Sequence, residues 1–200
     1  MLETMALACE RGGLPLFAGL SFALGPGGLL RVRGANGSGK TTLLRTLAGL
    51  TRPAAGSVRW RGVQIDADYR KEMLFLGHAA AIKDEMSVLE NLAFSSALCE
   101  LRHPDYRKAL EQLGVARLAD LPARYLSQGQ RRRAALARLA LSAEVPLWLL
   151  DEPFAALDSE GIAQLSALCA AHLAGGGMLV LTSHQDVPIA SAAPQEIELR

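Results

Sequence analysis

No apolar run in this chain approaches the ~18 residues that a membrane-spanning helix requires, so a role at a membrane is expected to come through a partner. Charge of one sign is missing too. The formal net charge is +1, which gives no global field to gather nucleic acid or an anionic bilayer and leaves only local basic clusters. Cysteine is scarce, and Cys9, Cys99 and Cys169 lie far apart with no metal-ligand spacing, as suits buried free thiols in a reducing compartment. The first residues carry Glu3, Glu10 and Arg11 around a short apolar run and lack the layout of a signal peptide. The sequence has no internal repeat, low-complexity tract or flexible linker. What is present is a chain of 200 residues, half of them hydrophobic, long enough to bury a proper core as one domain over 1–200.

The pattern along the chain is mostly that of an α/β protein. Met1 to Cys9 and Leu20 to Leu24 predict short strands joined by the turn-prone Gly12-Gly13-Leu14-Pro15, a small antiparallel sheet. Further strands are expected at Leu29–Val32, Ser57–Trp60, Met73–Leu76, the continuously apolar Val145–Leu150, and Met178–Thr182. Trp60 and Trp148 read as strand and core aromatics. Between about Ala79 and Arg138 the reading is mostly helical. Ser87 with Glu90 three residues later has the form of a capping box, followed by Val88, Leu89, Leu92, Ala93, Leu98 and Leu101 at helical spacing, and a second helix is expected after Pro104. This stretch looks like a helical insertion in an α/β core.

Gly34-Ala35-Asn36-Gly37-Ser38-Gly39-Lys40-Thr41-Thr42 fits G-x-x-x-x-G-K-[ST]. In that loop, backbone N–H groups wrap a nucleotide's phosphates while the lysine and a hydroxyl engage the terminal phosphates and Mg²⁺. A strand enters it and a helix with leucines at Leu43, Leu44 and Leu47 leaves it, which a chance glycine-rich turn would lack. The helix N-terminus aims its dipole and unpaired N–H groups at the anion. Asp151 and Glu152 directly follow the apolar strand, at the edge from which the phosphate loop emerges. Asp151 is placed to hold Mg²⁺ opposite Thr41, and Glu152 to activate the water that attacks the γ-phosphate. As a bare pattern, the same two carboxylates also suit a helix N-terminus. Leu126-Ser127-Gln128-Gly129-Gln130 opens a basic helix, Arg131 to Arg138, and reads either as a second anion-binding end or as an ordinary capped helix with a solvated arginine face.

Taken in order, the phosphate loop, LSQGQ, LWLLDEP, Ala156-Leu157-Asp158, and His184 after a buried strand resemble the ATP-binding subunits of ABC transporters. The resemblance covers nearly the whole chain and implies a RecA-like P-loop NTPase core with an N-terminal antiparallel β subdomain and a helical insertion over about 79–138. It also implies two such domains facing head to tail, each ATP held between the Lys40 loop of one subunit and Ser127 and Gly129 of the other. His184 would contact the γ-phosphate and Asp158 would connect the two sites. Three departures stand out. Gln128 replaces the signature's first glycine; His78 stands where the family has a glutamine; and Arg11 falls where an aromatic usually stacks on adenine, with a guanidinium plane in its place.

Gly77-His78 with Ile82-Lys83, Val88-Leu89-Glu90-Asn91-Leu92, the Cys9-Glu10-Arg11 opening, Ser183-His184-Gln185 and an end shortly after His184 resemble the heme-exporter ATPases of cytochrome c maturation. That likeness implies a membrane-spanning permease partner, heme-handling membrane proteins, and a place on the cytoplasmic face of the bacterial inner membrane. His103, His172 and the cysteines lack the context of heme ligands. A groove beside His78 to Lys83, walled by Phe75, Met86 and the Ser87 to Leu101 helix, is the expected dock for a short cytoplasmic helix of the permease. An exporter of lipid or drug is the nearest alternative. A soluble ATPase acting on DNA or ribosomes usually has two ATPase domains in one chain or a long coiled coil, and a nucleotide kinase or GTPase would not need the serine-glycine signature, the latter carrying an Asn-Lys-x-Asp motif that is absent here.

Overall fold

The computed structural model describes residues 1–97, 105–184, 189–190 and 194–199. Leu98, Cys99, Leu101, His103, Pro104 and Gln185, named above, lie outside the described residues. The chain opens with antiparallel strands β1 (Leu2–Arg11) and β2 (Leu14–Leu24), both longer than the apolar pattern predicts. Bulges explain the difference. The β1–β2 register shifts between Thr4 and Leu7 and again before Cys9, with Ala6 at φ 45°, so the inward residues do not alternate evenly and the period is hidden in the sequence. After β3 (Leu29–Gly34) and helix α1 (Lys40–Leu47), strands β4 (Ala55–Trp60) and β5 (Val63–Gln64) complete a sheet in the order β2-β1-β4-β5.

The second sheet holds β6 (Met73–Leu76), β7 (Leu147–Leu150), β8 (Met178–Thr182) and β9 (Gln195–Leu199), in the order β6-β7-β8-β3-β9. Every pairing in it is parallel. Because successive side chains leave opposite faces of a strand, each central strand feeds two cores. Leu147, Leu149, Met178 and Val180 join Leu43, Leu44 and Leu47 of α1, with Leu2, Leu7 and Val58 of the antiparallel sheet. Trp148, Leu150, Leu179 and Leu181 join the opposite core, built with α2 (Val88–Ala97), α3 (Tyr106–Gln112), α4 (Gln128–Leu141) and α5 (Ser159–Ala174). Burial on both faces accounts for the unbroken apolar runs at β7 and β8. Each fully buried leucine of α1 contributes about 1.5–3 kcal/mol, enough to hold a helix of 8 residues that would not persist alone.

The described residues between β6 and β7 are mostly helical, with α3 and α4 joined by 3-10 turns at Ala116–Leu118 and Ala123–Tyr125. The capping box at Ser87 is present: Glu90 N–H donates to Ser87 Oγ (3.1 Å) and Ser87 N–H to Glu90 Oε2 (2.7 Å). Leu110, Leu113 and Leu136 share a core with Trp148 and Leu150, so these helices are built onto the sheet and have no separate interior. The groove expected beside His78 to Lys83 takes a different form. Leu74 and Leu76 face the helices, so Phe75 between them points into the other core and cannot wall it. What exists there is a shallow cleft of about 20 Å³ lined by Ala80, Ala81, Ile82, Asn91 and Leu92. Phe94 is exposed beside it, with the Lys83 ammonium 3.9 Å over its ring.

Candidate functional site

The ends of β3, β6, β7 and β8 lie along one edge of the parallel sheet, and each carries part of the site. β3 runs into the glycine loop. Gly34 at φ 146° and Gly39 at φ 99° hold backbone conformations that L side chains rarely adopt. A Cβ on Gly34 would meet Leu199 O at 2.5 Å, and one on Gly39 would press on Leu16 at 3.1 Å. Gly39 is also the N-cap of α1 and offers no side-chain cap. Leu43 N–H makes the first helical bond, to Gly39 O, so the amides ahead of it have no partner within the helix. Lys40 is buried, and its ammonium donates to the loop's own carbonyls at Gly34 (2.7 Å) and Ala35 (3.0 Å). An ammonium has three donors, which leaves one for an anion.

β7 delivers Asp151, which is 1% exposed. Thr41 Oγ1 donates to its Oδ2 at 2.8 Å, and Thr182 Oγ1 at the end of β8 donates to its Oδ1 at 2.8 Å. The next residue, Glu152, has φ 49°, and its N–H donates to the same Thr182 hydroxyl (2.8 Å). Its Oε1 is buried with no hydrogen-bond donor. His184 Nε2 stands 3.3 Å from that oxygen, within ion-pairing distance if the ring is charged but outside hydrogen-bonding geometry.

These groups surround one cavity of about 420 Å³. Asn36, Gly37, Gly39, Lys40, Thr41 and Thr42 form one wall; His78, Asp151, Glu152 and His184 form another; Arg11 and Leu16 of the antiparallel sheet form the rim. Gly34, Ala35 and Ser38 complete the loop behind the lining residues. Ser127, Gly129 and Asp158 are not in this cavity. They line a second one of about 450 Å³, with Gln130, Arg133 and Glu160. There Ser127 caps α4 through the reciprocal Ser127–Gln130 box. Asp158 caps α5 by accepting from Gly161 N–H (3.0 Å) and pairs with the Arg133 guanidinium, which with that backbone bond holds its carboxyl below the usual range.

The residues around the first cavity fit a nucleotide triphosphate with Mg²⁺. Mg²⁺ is ordinarily held by one or two protein oxygens together with substrate phosphates and water, and Thr41 Oγ1 and Asp151 supply such oxygens beside the lysine. The buried Glu152 oxygen, which has no hydrogen-bond donor, suits a group that must accept a proton from water. Among the described residues no cluster of His, Cys, Asp and Glu forms a closed metal cage. His172 lies in the core, its ring stacked on Trp148 at 3.8 Å, and Cys9 and Cys169 are buried.

Sequence reasoning missed Thr182 and Arg132. Arg132, also buried, bonds to the main chain around Asp151 and Glu152, and burial lowers its pKa from the usual value. A threonine closing an otherwise wholly apolar strand was the only sequence signal for the first, and the arginine triplet concealed the second.

The family described as ABC transporter matches residues 17–155. A cytochrome c biogenesis ATP-binding export protein of Nitrosospira multiformis is 47% identical, over 99% of this chain and 98% of the relative. Proteins of the same name from Methylococcus capsulatus and Escherichia coli are 52% identical over 92% of this chain and 90% of the relative, and 44% identical over 100% and 96%. Among solved structures, a putative ABC transporter ATP-binding protein of Pyrococcus furiosus superposes with a TM-score of 0.83 at 25% identity, covering 99% of this chain and 96% of that one. With the phosphate loop, the carboxylates after β7 and the histidine after β8 on one cavity, and relatives matched over nearly their whole length, the chain belongs to the ABC transporter family, among its cytochrome c biogenesis ATP-binding export proteins.

Proposed function

We propose that the chain is the ATP-hydrolysing subunit of an ABC transporter complex and that hydrolysis powers heme export, or release of a heme-loaded chaperone, in cytochrome c maturation. The observation that carries the ATPase reading is the joining of Thr41 to Asp151, with a buried Glu152 oxygen that has no hydrogen-bond donor next to them. Lys40 and the amides at the start of α1 bind the β- and γ-phosphates. Thr41 and Asp151 would hold Mg²⁺, which would neutralise charge on the phosphate oxygens. Glu152 takes a proton from water as its oxygen bonds to the γ-phosphorus and the bond to the β-phosphate oxygen breaks, giving ADP and phosphate. His184, beside Glu152, contacts the γ-phosphate. Arg11 lies at the rim, where its guanidinium plane can stack on adenine.

Ser127, Gly129 and Asp158 act on the nucleotide of a second subunit. They line a separate cavity, and a head-to-tail dimer would set it against the phosphate cavity of the partner. The domain is read as 1–200, with the helical unit over about 79–138 placing Ser127. No described helix is long and apolar enough to cross a membrane. We assign the path across the bilayer to a membrane-spanning permease that docks near residues 78–83 and α2. The chain then sits peripherally on the cytoplasmic face of the inner membrane, and heme is handled by membrane partners.

The test is Lys40→Ala in the full-length chain with its membrane partner. ATP hydrolysis is expected to vanish with the fold intact by circular dichroism, and near-normal turnover would remove Lys40 from the chemistry. For the cargo, cells carrying only Glu152→Gln should retain apocytochrome c and lose heme-stained cytochrome c. Normal heme attachment would leave an ATPase with some other export substrate.

A further inference from the structure

Helix α4 reaches the carboxyl edge of the parallel sheet through one side chain. Arg132, on its second turn, is 5% exposed. Its Nε donates to Pro153 O (3.4 Å), its Nη1 to Gly77 O (3.5 Å) and His78 O (3.0 Å), and its Nη2 to Asp151 O (3.1 Å) and Glu152 O (2.6 Å). The fork of five N–H groups is thus directed at main-chain carbonyls of the loops after β6 and β7. Burying a guanidinium costs several kcal/mol, and charge-assisted bonds to main-chain carbonyls offset it; the Glu152 carbonyl also accepts the Ala155 N–H at 3.2 Å.

The loop after β7 that it grips is under conformational tension. Glu152 (φ 49°) and Ala156 (φ 62°) both sit in the left-handed region, where a residue with a Cβ costs about 1–2 kcal/mol. Both main-chain groups of Glu152 are anchored, its N–H on Thr182 Oγ1 and its C=O on Arg132. Only the torsions of its own side chain remain free to aim the carboxylate.

We propose that Arg132 is a positioning residue for ATP hydrolysis. It holds the Glu152 main chain in its left-handed conformation and ties that turn to His78, so that displacement of α4 displaces the base and the His78 loop together. A lysine has its donors on a single nitrogen and cannot span both loops in this way. The inference rests on the ATPase reading above and deepens it.

The test compares wild type, Arg132→Ala and Arg132→Lys as full-length chains purified in complex with the membrane partner. It measures steady-state MgATP hydrolysis, thermal midpoint, and the response to low-millimolar guanidinium ion. Both variants should lose about tenfold or more in kcat with KM for ATP within about twofold, since the Lys40 loop is untouched. Guanidinium ion should restore part of kcat to Arg132→Ala and none to Arg132→Lys, whose own chain fills the site. If the alanine variant does not fold, Arg132→Gln replaces it, with an intermediate kcat expected. A lower thermal midpoint with wild-type kcat in the folded variants overturns the proposal, as does a rise in KM that accounts for the whole loss. A wild type that does not hydrolyse ATP overturns the parent reading and this inference with it. An active wild type with unaffected variants overturns this inference alone.

Discussion

Thr182 Oγ1 donates to Asp151 Oδ1 at 2.8 Å and accepts the N–H of Glu152 at 2.8 Å. One hydroxyl at the end of β8 therefore fixes the side chain of the first carboxylate and the main chain of the second. Thr182→Val keeps the shape and removes both bonds, leaving a buried carboxylate oxygen and a main-chain donor without this partner. The expected cost is about 1–3 kcal/mol of stability per unsatisfied group, together with a fall in kcat. Thr182→Ser should behave as wild type in urea melts. A valine variant as stable and active as wild type would show that this hydroxyl is dispensable.

His78 lines the phosphate cavity on an exposed turn, and its carbonyl is tied to Arg132. Two roles are open to the imidazole, a bond to water near Mg²⁺ or that of a plain turn residue. If it senses the site, His78→Gln should keep most partner-stimulated hydrolysis, whereas His78→Ala should lose stimulation more than ATP affinity. Equal stimulated rates for His78→Ala and wild type would reduce His78 to a turn.

His172 offers a test of the core by pH. Its ring stacks on Trp148 with an interplanar angle of 5°, its Nε2 lies 3.3 Å from Met178 O, and burial lowers its pKa below the ordinary 6.5. A histidine whose folded pKa is depressed binds fewer protons folded than unfolded, so its effect on stability is constant above about pH 6.5 and grows unfavourable as pH falls below it. Wild type should lose melting temperature between about pH 7.5 and 5.5 faster than His172→Phe, which keeps the stack without the titration. Parallel slopes would mean that the ring charges freely in the folded protein.

Much of this was legible in the sequence, and the remainder was hidden for definable reasons. The glycine loop, the parallel strands and the capping box at Ser87 follow from local chemistry, where spacing and residue type decide the structure. The arginine triplet does not. Arg131 pairs with Asp84 at the surface, Arg132 turns inward to the carbonyls of the sheet edge, and Arg133 reaches Asp158. Neighbouring helix residues point about 100° apart, so one basic run serves separate destinations that only the fold supplies. The partner groove was misplaced at Phe75 for a similar reason. A four-residue apolar strand does not say which alternate faces the helices, and Phe75 took the other side.

The central claim is that the two cavities complete each other across a head-to-tail dimer, with Glu152 as the base. Glu152→Gln keeps the shape of the side chain and removes the base, so ATP should remain bound and scarcely cleaved. Size-exclusion chromatography of Glu152→Gln with MgATP is predicted to show a dimer, absent without nucleotide and abolished when Ser127→Arg is added to fill the second cavity. A monomer with bound ATP, or a dimer that persists with Ser127→Arg in place, would contradict the account.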